Sequence, residues 1–442
     1  MRYIVPNKRK VRTNELKEYD VIVVGGGAAG TMAAISAAKE GAEVALVEKN
    51  EKLGKKIYIT GKGRCNLTNA CETEDFFSSV NTNAKFMYSS LYTLSNFQTM
   101  DLFHEWGLPT KIERGNRVFP VSDKSSDVIQ CLAKECRRCG VDIMLQTSCR
   151  HIFYQNNQAC GIQMDNSSIL RGKMIILATG GLSYPSTGST GDGLRFAEKA
   201  GHQIVSCRPA LVPMNVKEKD AREMQGLSMK NVEMTFYAQK ENGKKQEIYR
   251  GFGEMMFTHF GITGPLVLSA SHEVGKRLEN HSVYVILDCK PALTKEKLDK
   301  RLIREFETAP NLSIKNCLGS LLPKSMIPVI LKRISLDGRT AVNQITKQER
   351  QRLVEEIKSM KFSILSLRDW KEAIITSGGV SVKDIDPSTM ESKKVKNLFF
   401  AGEMIDVDAM TGGYNLQIAW STGYLAGKMA AEKTKIRKEI NV

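Results

Sequence analysis

Three observations predict an α/β fold in which both ends of the chain build one parallel, ligand-binding layer around an insert. Tyr19 to Glu48 reads as strand, glycine turn, helix and second strand. Beyond Pro209 the pattern changes to short β-rich runs separated by turn signals, and from Asn397 it reverts to a buried strand, glycines and a small-residue helix.

Tyr19 to Val24 is apolar and rich in β-branched residues, which suits a strand buried on both faces. Gly25-x-Gly27-x-x-Gly30 follows at once, and Ala28 to Lys39 is strongly helix-forming. The first glycine permits the turn, the second lets backbone approach a pyrophosphate, and the third lets helix pack on strand. Ala28 and Ala29 open the helix, whose free N–H groups favour phosphate. Val44 to Val47 is the next strand, and Glu48 at its end offers a carboxylate to the hydroxyls of a ribose.

With 442 residues the chain has room for two or three domains. No apolar run approaches a membrane span, and Met1 to Lys10 lacks the apolar core of a signal peptide, so a cytoplasmic location is expected. The ten cysteines are scattered, as in a reduced protein. Cys131, Cys136 and Cys139 have the spacing C-x4-C-x2-C, but they fall within an amphipathic helix, whereas a cluster needs a wrapping loop; they read as core residues, and no metal is expected. The net charge of +16 is spread among acids almost everywhere, which reads as a solvated basic surface without a stable nucleic-acid partner.

Residues 1–18 read as a basic leader. Lys52 to Asn69 holds glycines, bases and small polar side chains, among them Lys56, Gly63 and Thr68, in a pattern that can wrap a large anion. Phe76 to Trp106 has helical periodicity, and Ser125 to Arg138 forms the cysteine-bearing helix. Val141 to Met144 reads as a parallel strand, and Ile152 to Tyr154 with Ala159 to Met164 as a hairpin. Met174 to Ala178 is a buried strand delivering Thr179-Gly180 to its carboxyl end, the edge where open α/β sheets bind ligands. Ser183 to Gly193 is a hydroxyl-rich loop before a helix from Leu194 to Ala200.

In the insert, Leu211 to Val216, Val232 to Ala238, Glu247 to Tyr249, Met255 to Thr258 and Val283 to Leu287 read as strands of an antiparallel sheet or barrel. Leu293 to Lys358 turns helical, and Phe362 to Leu367 returns as a strand. The expected domains are 19–205 with 368–442 for the ligand-binding layer, 206–292 with 359–367 for the barrel, and 293–358 for a small helical domain.

The C-terminal strand Asn397 to Gly402 is followed by Glu403 and Asp406, then by Gly412-Gly413 and the helix Leu416 to Glu432. A ligand gripped at both ends of the chain is long, and FAD fits it. The first helix takes its pyrophosphate, Glu48 its ribose, Glu403 its ribityl hydroxyls, and the Gly412-Gly413 helix end the flavin, where it favours the reduced, negatively charged form. A second GxGxxG unit is lacking, so NAD(P)H is expected only as a transient donor.

The segments YDVIVVGGGAAG, GKGRCNLTN, ATGGLSYPSTGSTGDG, FTHFGITGP, GGVSVKDIDPSTMESK and LFFAGEMIDVDAMTGGYNLQIAWSTGYLAG together resemble the YhiN/BaiN-like (aminoacetone oxidase-like) family of flavoproteins, from Tyr19 to Gly427. The resemblance implies a Rossmann-like, glutathione-reductase-like FAD-binding domain interrupted by an inserted antiparallel β-barrel and a small helical domain. It implies FAD contacts from the glycine loop, Glu48 and Lys49, Arg64-Cys65-Asn66, and Thr179-Gly180. At the far end it implies Gly402-Glu403, Gly412, Gly413, Tyr414, Asn415 and Leu416; Cys149 and Asp406 complete the candidate set. It also implies an FAD-dependent oxidoreductase, whose members either reduce conjugated double bonds of oxo-bile acids or oxidise small amines. Hydride transfer at flavin N5 is the expected chemistry, with a small-molecule substrate. Tyr184, His259 and Arg64 are the donors nominated beside the reacting atoms. An RNA-associated flavoprotein is the remaining alternative, through the positive charge.

Overall fold

The computed structural model describes residues 18–240 and 243–440, so the leader expected at 1–18 lies, apart from Glu18, outside the described residues. Its first layer is a seven-stranded mixed sheet with a parallel centre and an antiparallel edge. Strand Glu18–Val24 sits between Val44–Val47 and Ile169–Leu177; Asp142–Met144 extends the sheet beyond the former, and Leu398–Phe400 pairs with the end of the latter. Every residue of Tyr19–Val24 is buried, as its unbroken apolar run demands. The registers Val24↔Val47, Val24↔Leu177 and Leu177↔Phe400 bring the carboxyl ends of the strands to one edge. Gly25, Glu48, Thr179 and Gly402 therefore emerge side by side, although the chain between the first and last exceeds 370 residues.

Helix Ala28–Lys39 packs against the terminal helix Tyr414–Ile440 at backbone distance. A Cβ at Gly423 would stand 2.3 Å from the Ala29 carbonyl oxygen, and one at Gly427 2.1 Å from that of Ala33, so only glycine permits this approach. Helix Ser125–Arg138 presents Val128, Leu132 and Cys136 to the same core, with Cys131 also buried. The expected hairpin is present as Cys149–Gln155 with Gln158–Met164.

Antiparallel strands Ile204–Ala210 and Ile375–Val380 link this layer to a closed antiparallel barrel. The barrel runs Met214–Val216, Gly261–Thr263, Lys245–Phe257, Ser228–Gln239, Ser282–Asp288, Met360–Leu367 and back to Met214–Val216. Helices Lys295–Thr308, Ile314–Cys317, Ile327–Arg333 and Lys347–Lys358 lie between its last two strands in sequence. Among the described residues, no helix is long and apolar enough to cross a membrane.

Four local expectations are corrected. The region Phe76–Trp106 is three short helices, because Asn83 takes a left-handed φ of 56° and strand Val80–Thr82 pairs with Asp408–Ala409. The strand expected from Leu211 begins at Met214, since Leu211 also has a left-handed φ of 50°. The two short strands around Gly251 and Gly253 are one, Lys245–Phe257, in which both glycines stay paired and leave room for Leu266. That leucine belongs to helix Pro265–Leu278, unanticipated within a β-rich stretch.

Candidate functional site

The strand ends open onto a cavity of about 990 Å³. Its floor is the glycine turn. A Cβ at Gly25 would stand 2.5 Å from the Ala178 carbonyl oxygen, and one at Gly30 1.8 Å from that of Gly25, so both glycines are packing requirements. A Cβ at Gly27 would meet nothing within 4 Å, which leaves that face of the turn open to a ligand. Gly26 N donates to Glu48 Oε2 at 2.6 Å, while Glu48 Oε1 accepts from Asn50 N and Nδ2, both at 2.7 Å. Each oxygen of Glu48 is thereby fixed at the cavity wall.

A second helix end faces the same cavity. Gly412 and Gly413 have φ of 129° and 103°, and a side chain at Gly413 would meet the Thr68 carbonyl oxygen at 2.3 Å. Asn415 anchors the turn, accepting from Ala409 N at 3.0 Å and donating to the Ala409 carbonyl at 2.9 Å. Tyr414, Asn415 and Leu416 line the cavity, so the N–H ends of helices Ala28–Lys39 and Tyr414–Ile440 both address it. Two positive helix ends in one cavity suit a ligand with negative charge at two separated places.

Lys56 Nζ lies 2.5 Å from both Ser183 Oγ and Glu403 Oε2, and Glu403 Oε1 accepts from Ser183 Oγ at 2.6 Å and Thr376 N at 2.7 Å. Lys49 pairs with Asp192 at 2.6 Å. Arg64 lines the cavity, stacked 4.1 Å from the Phe119 ring and paired with Glu113 and Asp123, which raise its already high pKa. It is a permanent hydrogen-bond donor and no proton source.

Of the nominated residues, Gly25, Gly27, Ala28, Ala29, Glu48, Lys49, Lys56, Arg64 and Asn66 line the cavity. So do Cys149, Thr179, Gly180, Gly402, Glu403 and the run Gly412–Leu416. Gly30, Gly63, Cys65, Thr68 and Asp406 are not part of its wall. Cys65 is fully buried, and burial pushes its thiol up to about 12. Thr68 turns inward to Gln417 Oε1 at 2.6 Å, and Asp406 faces Asn83, its carboxyl raised by burial. Tyr184 and His259 also lie off the wall. Tyr184 has a left-handed φ of 50°, and burial followed by the charge of Glu372 raises its hydroxyl pKa. His259 is exposed, edge-on to Phe260. Arg368 joins their neighbourhoods, pairing with Glu372 and stacking 4.4 Å from Phe260.

Sequence reasoning missed an apolar part of the lining, made of Leu211, Pro265, Leu268 and Ile374. It also missed Arg117, Phe119 and Arg150, which come from strands without a ligand motif. Thr376 precedes the glycine pair of GGVSVK, the signal that would have found it.

The residues present fit FAD. Asn66 Oδ1, Asn69 Oδ1 and Thr179 Oγ1 are buried polar atoms without a partner among the described residues, in residues that line the same cavity as Gly27 and the two helix ends. Residues 19–429 match the HI0933-like protein Rossmann domain. The chain belongs to that family.

It is 31% identical over 414 residues to a 3-dehydro-bile acid delta(4,6)-reductase of Clostridium scindens, covering 93% of this chain and 98% of the relative. A ribosomal RNA dihydrouridine synthase of Haemophilus influenzae is 31% identical over 405 residues, covering 91% and 96%. The corresponding synthase of Escherichia coli is 28% identical over 412 residues, covering 92% and 97%. Among solved structures, 3-ketosteroid delta1-dehydrogenase from Sterolibacterium denitrificans shares the fold at a TM-score of 0.52 and 13% identity, over 94% of this chain and all of that one. The HI0933-like chain is an FAD-dependent oxidoreductase with a Rossmann-like α/β layer.

Proposed function

We propose that this flavoenzyme reduces a C=C bond conjugated to a carbonyl, in a substrate of the oxo-steroid or oxo-bile-acid kind, with NAD(P)H as a transient electron donor. The observation that carries the reading is the divided lining of the cavity. Glycine backbone, helix ends and cations line one part of it, and Leu211, Leu268 and Ile374, which form one apolar patch, line another together with Pro265. The polar part suits the cofactor, and the apolar part suits a flat ring system. The bile-acid reductase relative, aligned over nearly its whole length, supports the same chemistry.

When bound and reduced by NAD(P)H, the flavin would supply hydride to the β-carbon of the enone, and a proton taken from solvent would complete the α-carbon. The chain's own residues bind and orient. Gly27 and the first helix end hold the pyrophosphate, and Glu48 holds the ribose. Glu403, fixed by Lys56 and Ser183, would accept from ribityl hydroxyls, and Arg64 would offer N–H groups to the oxygen on which charge develops. The barrel, 206–292 with 359–367, and the helical segment 293–358 form separate domains in this reading, and the barrel edge supplies the substrate wall. The enzyme works in the cytoplasm.

A uracil ring of RNA is a second substrate reading, because its C=C bond is likewise conjugated to a carbonyl. The net charge of +16 and the two ribosomal RNA dihydrouridine synthase relatives favour it. It reverses the expectation that no nucleic acid is bound.

Anaerobic stopped-flow tests the proposal. FAD-loaded protein is bleached with NADH or NADPH, then mixed with a Δ4-3-oxo steroid or with protein-free ribosomal RNA. Return of the yellow oxidised absorbance with either substrate is the expected result, and it tells the two readings apart. Bleaching by small primary amines, with no reoxidation by any enone, would overturn the proposal in favour of an amine oxidase.

A further inference from the structure

Helix Lys295–Thr308 begins at Thr294, whose Oγ1 accepts from Lys297 N at 3.2 Å. Its base is held firmly: Lys358 Nζ donates to the carbonyls of Lys290 and Leu293 at 2.9 and 2.5 Å and pairs with Asp288 at 2.6 Å. Leu298, Leu302 and Phe306 form its buried face. At the helical repeat, Lys297, Lys300 and Arg304 fall together on the other side, and all three are exposed.

Glu296 and Glu307 border this face at the same helical repeat, but neither reaches its cations. Elsewhere in the helical segment Lys295 pairs with Glu355, Arg301 with Glu305, Arg350 with Asp299, and Arg333 with Asp220 and Glu356. Lys297, Lys300 and Arg304 have no carboxylate at ion-pair distance among the described residues. They rim a groove of about 580 Å³ against Leu293 and Ile303. Residues 293–358 hold fourteen Lys and Arg against eight Asp and Glu, so the segment as a whole is basic. None of the three lines the cavity.

We propose that this helix face binds RNA, with Lys297, Lys300 and Arg304 contacting backbone phosphates while the target base reaches the cavity elsewhere on the molecule. The inference rests on the uracil reading above and names the surface through which the polymer is held. A rigid row of unpaired cations gains affinity by releasing counterions from a polyanion, which a neutral steroid does not offer. The apolar floor is only two side chains wide, too small to bury a protein partner's core.

The test measures binding of the full-length, FAD-loaded protein to protein-free ribosomal RNA over a range of salt concentrations. Combining Lys297→Gln, Lys300→Gln and Arg304→Gln is expected to weaken binding at least tenfold near physiological salt. The slope of log affinity against log salt should fall by about 2 to 3, the loss of three phosphate contacts. Lys295→Gln, on the same helix but at a paired lysine, should bind as the parent does. Flavin content and melting temperature of the triple variant report that its fold is intact. An unchanged slope in the triple variant overturns the surface. RNA that binds through this face but never reoxidises the flavin upholds the surface and overturns the uracil reading instead.

Discussion

Gly30 shows how a single residue sets the cofactor site. A methyl group there would overlap the Gly25 carbonyl oxygen at 1.8 Å, so the helix must move off the turn or the turn must open. Overpacking of this kind typically costs about 1–3 kcal/mol, and it displaces the N–H groups meant for the pyrophosphate. Gly30→Ala is expected to purify colourless and to stay so after incubation with FAD. A yellow variant with parental FAD content would show that the turn tolerates the shift. Cys65 lies in a motif of the resemblance, yet full burial keeps its thiol protonated, with a pKa of about 12. It should resist alkylation in the native protein at pH 8 and react only after denaturation; fast native labelling, located at Cys65 by mass spectrometry, would contradict this. The glycine roles were legible because a missing side chain has few physical uses. That Tyr184 and His259 lie off the cavity wall was not legible, because left-handed backbone at one and exposure at the other come from tertiary context.

At the scale of elements, strands and helices with one strong period could be read directly: the buried Tyr19–Val24 run and the cysteine helix both appear where the pattern places them. Helix Pro265–Leu278 escaped because its apolar residues follow short β-branched runs, and only its packing over Gly251 and Gly253 reveals its purpose. It carries Pro265 and Leu268 to the cavity wall and, one turn on, His272 into the molecule. His272 Nδ1 lies 3.1 Å from Asp408 Oδ1, and both residues are at most 5% exposed. Burial alone would raise the Asp408 carboxyl, but the hydrogen bond and charge of His272 carry it below its ordinary value. The unfolded chain therefore takes up this proton at a higher pH than the folded one. The pair's contribution is complete above about pH 4 and is lost as pH falls through the lower folded value. Removing one partner strands a buried charge, so His272→Leu should destabilise by about 3–5 kcal/mol at neutral pH. Asp408→Asn should flatten the acid limb of a denaturation series below pH 4. An acid limb identical to the parent's would mean that the pair adds nothing to pH-dependent stability.

The whole molecule is knit by its termini. Glu18–Val24 and Leu398–Phe400 flank the same strand, and the cavity draws on both with the barrel edge between them in sequence. Its apolar interior nevertheless divides. One buried cluster holds the mixed sheet and its helices, and another the barrel and the helices after it. Between them lies a small patch of Ala210, Leu211 and Ile375 with Leu268 and Ile374, at the two-stranded link. So small a shared core couples two large ones weakly, which predicts two calorimetric transitions. FAD meets chiefly the first cluster, so at a hundred times its dissociation constant it should stabilise that unit by about 2.7 kcal/mol. For a unit of this size, at about 2–4 °C per kcal/mol, that is about 5–11 °C in Tm, with the other transition nearly still. One transition moving as a whole would show instead that the apolar part of the lining joins the two cores into a single cooperative body.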